Sequence, residues 1–333
     1  MKFDIARQPL IPAFLTLAAL TAAAMWNIDV AQGLPPAATS AADPAFAVTL
    51  PEAGLRLFQT AHPLWSKWIA ALLLLLAGTA IGRTGIRYNL YSVSTCLPIP
   101  LFGCLVSGVL LNDQFLAATL AAALLTLALK NYCRSFCNGF GFDAIFRASL
   151  YLGVLPLVDP AALPMLLMMP LAILLFRRTL REATVALAGL LLPGLLVAYI
   201  NWGAGGSFTA LFTHTAATFA NGPLAGIFTS LPIQELAVLG GMAVLDLLSG
   251  LFFLSDIYAV GTKARFIFIF IIGTLLLAAL TLCGPAADAG TLSLLAVPSA
   301  LMLPFMMVRT HAPVALLFYL LLLGGALGGV FLH

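Results

Sequence analysis

Long apolar runs separated by short charged segments make up most of this chain. A helix needs about 20 apolar residues to cross the hydrocarbon core of a bilayer, and it satisfies its own backbone hydrogen bonds. Runs near that length predict about eleven transmembrane helices, at 9–26, 65–82, 93–111, 114–130, 144–158, 161–176, 183–201, 235–255, 266–283, 291–308 and 312–331. The short pair 144–158 and 161–176 also fits a tight hairpin that turns at Asp159-Pro160, and the count is then about nine.

The basic residues favour one orientation of these helices. With the N-terminus in the cytoplasm, thirteen of the fifteen Lys and Arg residues fall on the cytoplasmic side or at its boundary, and only Arg56 and Lys67 fall outside. Lys and Arg in short loops favour the cytoplasmic side of a membrane. The turn FRRTLRE, which contains Arg178 and Glu182, is therefore predicted to be cytoplasmic.

The composition excludes a water-soluble protein. Hydrophobic residues make up 62% of the chain, charged residues only 8%, and the mean hydropathy is +1.09, whereas soluble domains contain about 25% charged residues. The sequence predicts one all-α, multi-pass integral membrane domain over 1–333, with the bilayer as its solvent. The net charge of +3 is explained by orientation and indicates no nucleic-acid partner.

Three further features concern segments outside the clear spans. The first helix also fits a cleaved signal peptide, but Pro9 and Pro12 stand where a helix would begin and Trp26 where an interfacial aromatic belongs, which favours a retained helix. The outer loop 27–64 ends in a stretch that fits an interfacial helix. The uncharged segment 202–232, rich in Gly, Thr and Phe, is predicted to be re-entrant or interfacial.

The stretch REATVALAGLLLP carries a family resemblance. Arg181 and Glu182, followed by Gly189 and Pro193, resemble the central signature of a family of uncharacterised bacterial inner-membrane proteins found mainly in Bacteroidota. In that family an Arg-Glu pair, usually followed by an aromatic residue, opens a helix that contains a Gly-x-x-x-Pro step. This chain has Ala183 in place of the aromatic residue. The resemblance implies a polytopic inner-membrane protein with no established activity.

Members of that family often carry the label beta-carotene monooxygenase, which the histidines of this chain argue against. Carotenoid oxygenases hold iron with several histidines that converge on one site. The four histidines of this chain do not converge, because the predicted topology places His62, His214 and His333 outside and His311 inside. Ligands on opposite membrane faces cannot form one site. The chain also lacks nucleotide, hydrolase and zinc-protease motifs. We therefore expect no cofactor and no metal, and we lean against an enzyme.

Asp246 is the one carboxylate near the middle of a predicted span. An ionisable group inside a bilayer normally faces a cavity or a partner and is a candidate functional site. With Gln234 and Glu235 at the outer start of the same helix, it outlines a substrate or ion path. The alternative is a structural Asp that ties two helices together, through Ser249 one turn on, with Gln234 and Glu235 as capping residues.

Two other groups of residues offer different chemistry. Asp29, Asp43 and Glu52 in the first outer loop supply candidate acids for a transferase that uses a polyprenyl-linked donor, although the simpler interpretation is that they are solvated loop residues. The cluster of Arg178, Arg181 and Glu182 suits an anionic lipid or polyprenyl phosphate, or orientation alone.

Three functions are therefore compatible with the sequence. The leading hypothesis is transport, or other handling, of a small or lipidic envelope substrate. The second is a polyprenyl-linked glycosyltransferase-like enzyme of envelope glycan assembly. The third is a non-catalytic membrane scaffold. The stretch GGALGG places Gly324 and Gly328, and likewise Gly325 and Gly329, at the four-residue spacing that lets two helices pack closely. The partner helix could belong to the same bundle, to a second copy in a homo-oligomer or to another membrane protein.

Overall fold

The computed structural model describes the backbone of residues 5–27, 51–107, 114–137, 141–220, 224–231 and 233–332. Within these ranges the chain is all-α, with fourteen α-helices, three 3₁₀ segments (Ile5–Arg7, Pro160–Leu167 and Ala289–Thr291) and no strand. The α-helices are α1 (Leu10–Asn27), α2 (Pro51–Ala61), α3 (Pro63–Arg87), α4 (Pro98–Ser107), α5 (Phe115–Cys137), α6 (Phe142–Val158), α7 (Met168–Leu175), α8 (Leu180–Gly203), α9 (Ala210–Ala220), α10 (Ile227–Ser230), α11 (Ile233–Ser255), α12 (Thr262–Leu282), α13 (Leu292–Arg309) and α14 (Ala312–Leu332).

Seven helices in the described part of the chain are long and apolar enough to cross a membrane: α3, α5, α8, α11, α12, α13 and α14. Shorter apolar helical segments occur at Leu10–Trp26, Pro98–Ser107 and Pro160–Leu175. Each predicted apolar run overlaps helical structure. The helical, multi-pass architecture expected from the hydrophobic pattern is confirmed at this level, while the number of spans and their orientation stay predictions.

Helix α13 lies at the centre of the bundle. Within its span, 89% of the residues are buried, and it contacts α4, α5, α11, α12 and α14. Phe305 on α13 packs edge-on against Phe253 of α11 and Phe268 of α12. The hydroxyl of Tyr91 donates a 2.8 Å hydrogen bond to the Leu301 carbonyl and so ties the loop after α3 to the same helix.

Helices α8 and α14 form part of the outer surface of the bundle, and only 17% of each span is buried. Large aliphatic side chains on them are exposed, among them Leu180 and Leu196 on α8 and Leu320 and Leu321 on α14. Such a surface would be unfavourable in water, but lipid tails solvate it without cost. The exposed leucines therefore agree with a bilayer environment.

Helices α6 and α8 approach each other at two glycines. A Cβ atom at Gly153 would overlap the backbone carbonyl of Leu190, and one at Gly189 would lie 2.7 Å from the Phe146 carbonyl oxygen. Because Gly has no side chain, the two backbones can come this close, as small residues allow in membrane helix pairs. The helix pair α6 and α8 is therefore joined through backbone contacts.

The two short predicted segments around Asp159 are helical arms joined by a turn. Helix α6 ends at Val158, and the side chain of Asp159 accepts a 3.0 Å hydrogen bond from the Ala161 N–H. The second arm begins as 3₁₀ helix over Pro160–Leu167 and continues as α7, with Pro164 inside the 3₁₀ part. Asp159 therefore caps the second arm and fixes the turn between the two.

The two predicted outer segments each contain helices. Helix α2 lies in the first, where Leu57 and Phe58 are exposed and Leu55 packs against the core. Residues 28–50, with Asp29 and Asp43, lie outside the described residues. The second segment contains α9 and α10, and α9 contacts both α8 and the 3₁₀ segment at 160–167.

Candidate functional site

The Arg-Glu turn is a buried hydrogen-bonded cluster at the start of α8. Thr179 and Glu182 form a capping box, in which the Thr179 hydroxyl accepts from the Glu182 N–H at 3.4 Å and Glu182 Oε2 accepts from the Thr179 N–H at 3.0 Å. Glu182 Oε1 accepts from the Gly141 N–H at 3.3 Å and pairs with Arg178 at 3.1 Å. Arg178 also donates to the Ser135 carbonyl. These bonds fasten the ends of α5, α6 and α8 together.

The other three signature residues lie in helix α8, and one of them is a charged residue at the surface. The Arg181 side chain is exposed, whereas Gly189 is buried at the close approach to α6. Pro193 lies inside α8 and has no N–H, so the carbonyl four residues earlier, that of Gly189, loses its usual helical partner. The signature is thus mainly structural in this chain, and Arg181 is its one charged side chain at the surface.

Asp246 lies in the contact between α11 and α13. It is 6% exposed, and its Oδ2 accepts a 2.5 Å hydrogen bond from the Ser299 hydroxyl. Its Oδ1 is buried without a hydrogen-bond partner among the described residues. Ser249 donates to the Met302 carbonyl at 2.5 Å rather than to Asp246. Both side chains of α11 therefore bind α13, which agrees with the structural interpretation of Asp246.

The other residues that the sequence singles out on α11 and α14 do not take part in the contact between α11 and α13, as far as their side chains are described. Gln234 and Glu235 belong to α11, but their side chains lie outside the described residues. Near the C-terminus, a Cβ atom at Gly324, Gly325 or Gly329 would meet no atom within 4 Å. These three glycines therefore do not pack closely within the bundle described.

A polar pocket of about 440 Å³ lies at the opposite end of α6 from the Arg-Glu turn. Helix α2 provides Glu52 and Arg56, α9 provides Thr218, and the turn after α6 provides Asp159. Val158 and Pro160 flank Asp159 in the wall. The start of α5 and the segment before α13 complete it with Gln114, Ala117, Ala118, Pro285, Ala286, Ala287, Asp288 and Gly290. Five segments that are distant in sequence thus converge on one cavity.

The pocket is acidic. Glu52 pairs with Arg56 at 2.7 Å, and Asp288 accepts hydrogen bonds from the N–H and hydroxyl of Thr291 at 3.0 and 2.9 Å. Burial, together with the negative charges of Asp288 and Glu52, raises the pKa of Asp159 to about 7. The carboxyl of Asp159 therefore gains or loses a proton readily close to neutral pH, and two further acidic side chains and one guanidinium line the same pocket.

Such a pocket can bind a ligand by hydrogen bonds and charge. Carboxylates accept hydrogen bonds from amines and hydroxyls, and a carboxyl with a pKa near neutrality can act as acid or base. Among the described residues, no group of three or more His, Cys, Asp and Glu side chains is arranged to hold a metal ion.

Sequence reasoning missed the pocket although it used some of its residues. Asp159 was singled out only as a turn and Glu52 only as one of three loop acids. The sequence puts Asp159 and Asp288 on the same predicted face of the membrane, but nothing in it shows that the two lie beside Glu52.

Comparison of the sequence with models of known protein families and with curated proteins, and of the fold with solved structures, finds no match. The site is therefore interpreted from its own geometry.

Proposed function

We propose that this protein is a multi-pass protein of the bacterial inner membrane that handles a small or lipidic envelope substrate, with the acidic pocket as the site that binds the substrate's polar part. We also propose that it belongs to the Arg-Glu family that its signature resembles. The observation that carries the functional proposal is the convergence of Glu52, Asp159 and Asp288 on one cavity of about 440 Å³.

The size and position of the pocket support a small or amphiphilic ligand. Small-molecule sites commonly measure about 300–1,000 Å³, so the cavity is large enough for a head group. The predicted topology puts this end of the bundle outside the cytoplasm. Helix α2, which forms one wall, exposes Leu57 and Phe58 beside the polar residues Glu52 and Arg56. A ligand with an apolar tail can lie along these side chains while its head occupies the pocket.

The charges support an amine-bearing or hydroxyl-rich head group. Three carboxyl groups face one guanidinium, which is already paired with Glu52. A head group carrying only phosphate would be repelled by the carboxylates, whereas an ammonium would be attracted to them and could donate hydrogen bonds to their oxygens. An ion path through Asp246 has weaker support, because Ser299 occupies one oxygen of that carboxylate between two packed helices.

The test uses purified full-length protein with ethanolamine, glucosamine and phosphatidylethanolamine as probes, and glycerol and phosphatidylglycerol as comparison ligands. We expect at least one amine-bearing probe to raise the unfolding temperature and to bind in calorimetric titration. Asp159→Asn and Asp288→Asn should each weaken that binding about tenfold to a hundredfold, since a hydrogen bond to a charged group contributes about 1.5–3 kcal/mol.

Asp143→Asn provides the matched control, because Asp143 is an exposed carboxylate, paired with Arg147 at 2.8 Å, on the first turn of α6 and far from the pocket. It should leave probe binding unchanged. The proposal is wrong if no amine-bearing probe binds, or if the pocket variants bind as the wild type does.

A transferase is the second candidate, and one observation favours it. Glu52 lines the same cavity as Asp159, whose pKa near 7 lets that carboxyl hold or release a proton close to neutral pH. A pair of carboxyl groups in different protonation states supplies an acid and a base. In cells that depend on the protein for glycan assembly, Glu52→Gln and Asp159→Asn should each abolish that assembly, and normal assembly in both would exclude this chemistry.

A further inference from the structure

Four basic side chains meet where α3 and α5 end. Arg83 and Arg87 lie one turn apart at the end of α3, and Lys130 and Arg134 lie one turn apart near the end of α5. The two helices pack along each other. Lys130 lies within electrostatic range of the other three. The four residues, here called the basic cluster, therefore form one patch contributed by two helices.

The basic cluster has no acidic counterpart among the described residues. Basic residues outside the cluster do form ion pairs in the described part of the chain: Arg147 with Asp143, Arg178 with Glu182, and Arg309 with Asp256. None of the four cluster residues pairs with a described carboxylate. Like charges this close repel one another, so a bound anion would remove an unfavourable interaction as well as add a favourable one.

Helix dipoles do not explain this concentration of charge. The C-terminal end of a helix carries about half a negative charge, so two helix ends offer roughly one unit against four full positive charges. A net excess of about three positive charges remains after that compensation. Positive-inside orientation explains why Lys and Arg occur at this end, but it requires no cluster without acidic partners.

The surface beside the basic cluster is apolar and runs along α3. Leu72, Leu76 and Ile86 are exposed at roughly helical spacing, and the exposed Arg83 lies among them. A molecule bound here would meet cations at one end and aliphatic side chains along its length. That combination matches an anionic phospholipid, whose phosphate accepts hydrogen bonds from guanidinium groups and whose chains lie against the bundle.

We propose that the basic cluster is a binding site for the phosphate group of an anionic phospholipid, with the acyl chains lying along the exposed apolar stripe of α3. Arginine suits this role because its planar guanidinium can donate two parallel hydrogen bonds to a phosphate. The site lies at the other end of the bundle from the acidic pocket and is independent of it. The lipid would join α3 to α5 and stabilise that end of the protein.

The experiment measures binding of phosphatidylglycerol to the full-length protein in phosphatidylcholine nanodiscs or mixed micelles, by retention in native mass spectrometry and by the unfolding temperature. Arg83→Gln/Arg134→Gln should weaken phosphatidylglycerol binding about thirtyfold, since each basic residue contributes roughly fivefold near an anionic headgroup. Arg83→Lys/Arg134→Lys keeps both charges and should retain most of the binding.

Arg147→Gln/Lys263→Gln is the matched control, because it removes two exposed basic residues at the starts of α6 and α12, outside the basic cluster. It should bind phosphatidylglycerol within about twofold of the wild type. All four substituted residues are exposed, so folding should survive, and far-ultraviolet circular dichroism verifies this.

Three results would overturn the proposal. Unchanged binding in Arg83→Gln/Arg134→Gln would show that the basic cluster is not the site. Equal losses in that variant and in the matched control would indicate diffuse attraction to the whole charged end. Inorganic phosphate that displaces phosphatidylglycerol completely and stabilises the protein equally would show that the site takes free phosphate and not a lipid.

Discussion

Replacing Gly189 by alanine tests the close contact between α6 and α8. The new Cβ would lie 2.7 Å from the Phe146 carbonyl oxygen, 3.2 Å from the Phe146 ring and 3.3 Å from the Ser149 side chain. The shortest of these contacts is to backbone, so no rotamer change can relieve it. The helices must therefore separate, and such overpacking costs about 1–3 kcal/mol.

Gly194→Ala in the same helix separates this effect from helix propensity. Its Cβ would lie 3.6 Å from the Phe212 ring, an ordinary contact. Both substitutions gain about 1 kcal/mol of helix propensity, so that gain cancels when the two variants are compared. We expect Gly189→Ala to be less stable than Gly194→Ala by about 1–3 kcal/mol. Gly153→Ala, directed at the Leu190 backbone, should be at least as unstable as Gly189→Ala.

These differences in the free energy of unfolding can be measured by denaturing the protein in mixed micelles with a rising fraction of dodecyl sulfate. Tryptophan fluorescence reports the unfolding, since the chain has four tryptophans. Equal midpoints for Gly189→Ala and Gly194→Ala would refute the argument, because they would mean that α6 and α8 do not approach at Gly189 in the folded protein.

Three further predictions concern buried polar groups. Burial raises the pKa of Asp159 to about 7, so the folded chain keeps a proton that the unfolded chain loses near pH 4. The free energy of unfolding should therefore fall by up to about 1.4 kcal/mol per pH unit as pH rises from 4 to 7. Asp159→Asn should lessen this fall in thermal unfolding measured across that range, and parallel curves for the variant and the wild type would contradict the prediction. Glu182→Ala leaves the buried guanidinium of Arg178 without its carboxylate and should lower the free energy of unfolding by about 3–5 kcal/mol, measured by dodecyl sulfate denaturation. A decrease below about 1 kcal/mol would argue against a buried ion pair. Asp246→Asn keeps the acceptor for Ser299 and should change stability by less than about 1 kcal/mol, whereas Ser299→Ala should cost about 1–3 kcal/mol; equal losses would rule out a simple tie between helices.

The helical elements were predictable because the length of an apolar run depends on neighbouring residues alone. The same local signal identified the turn at Asp159, but not the 3₁₀ geometry of Pro160–Leu167, which also reflects packing against α12. The capping box at Thr179 and Glu182 is likewise local, since its residues are three positions apart.

The site could be predicted only in part. Asp246 was recognised because a carboxylate is costly in a bilayer, yet its partner Ser299 lies on a helix that the chain forms later. The acidic pocket escaped prediction because Glu52, Asp159 and Asp288 meet only through the packing of helices distant in sequence. Hydropathy and loop charge carry no information about which loops become neighbours.

The central position of α13 has a consequence for biogenesis. This helix is the most enclosed of the seven long apolar helices among the described residues, and it comes sixth of them in chain order. Until it enters the membrane, α4, α5, α11 and α12 lack a neighbour that they contact in the folded protein. We therefore expect a chain truncated before residue 292 to leave the earlier helices loosely packed and sensitive to protease.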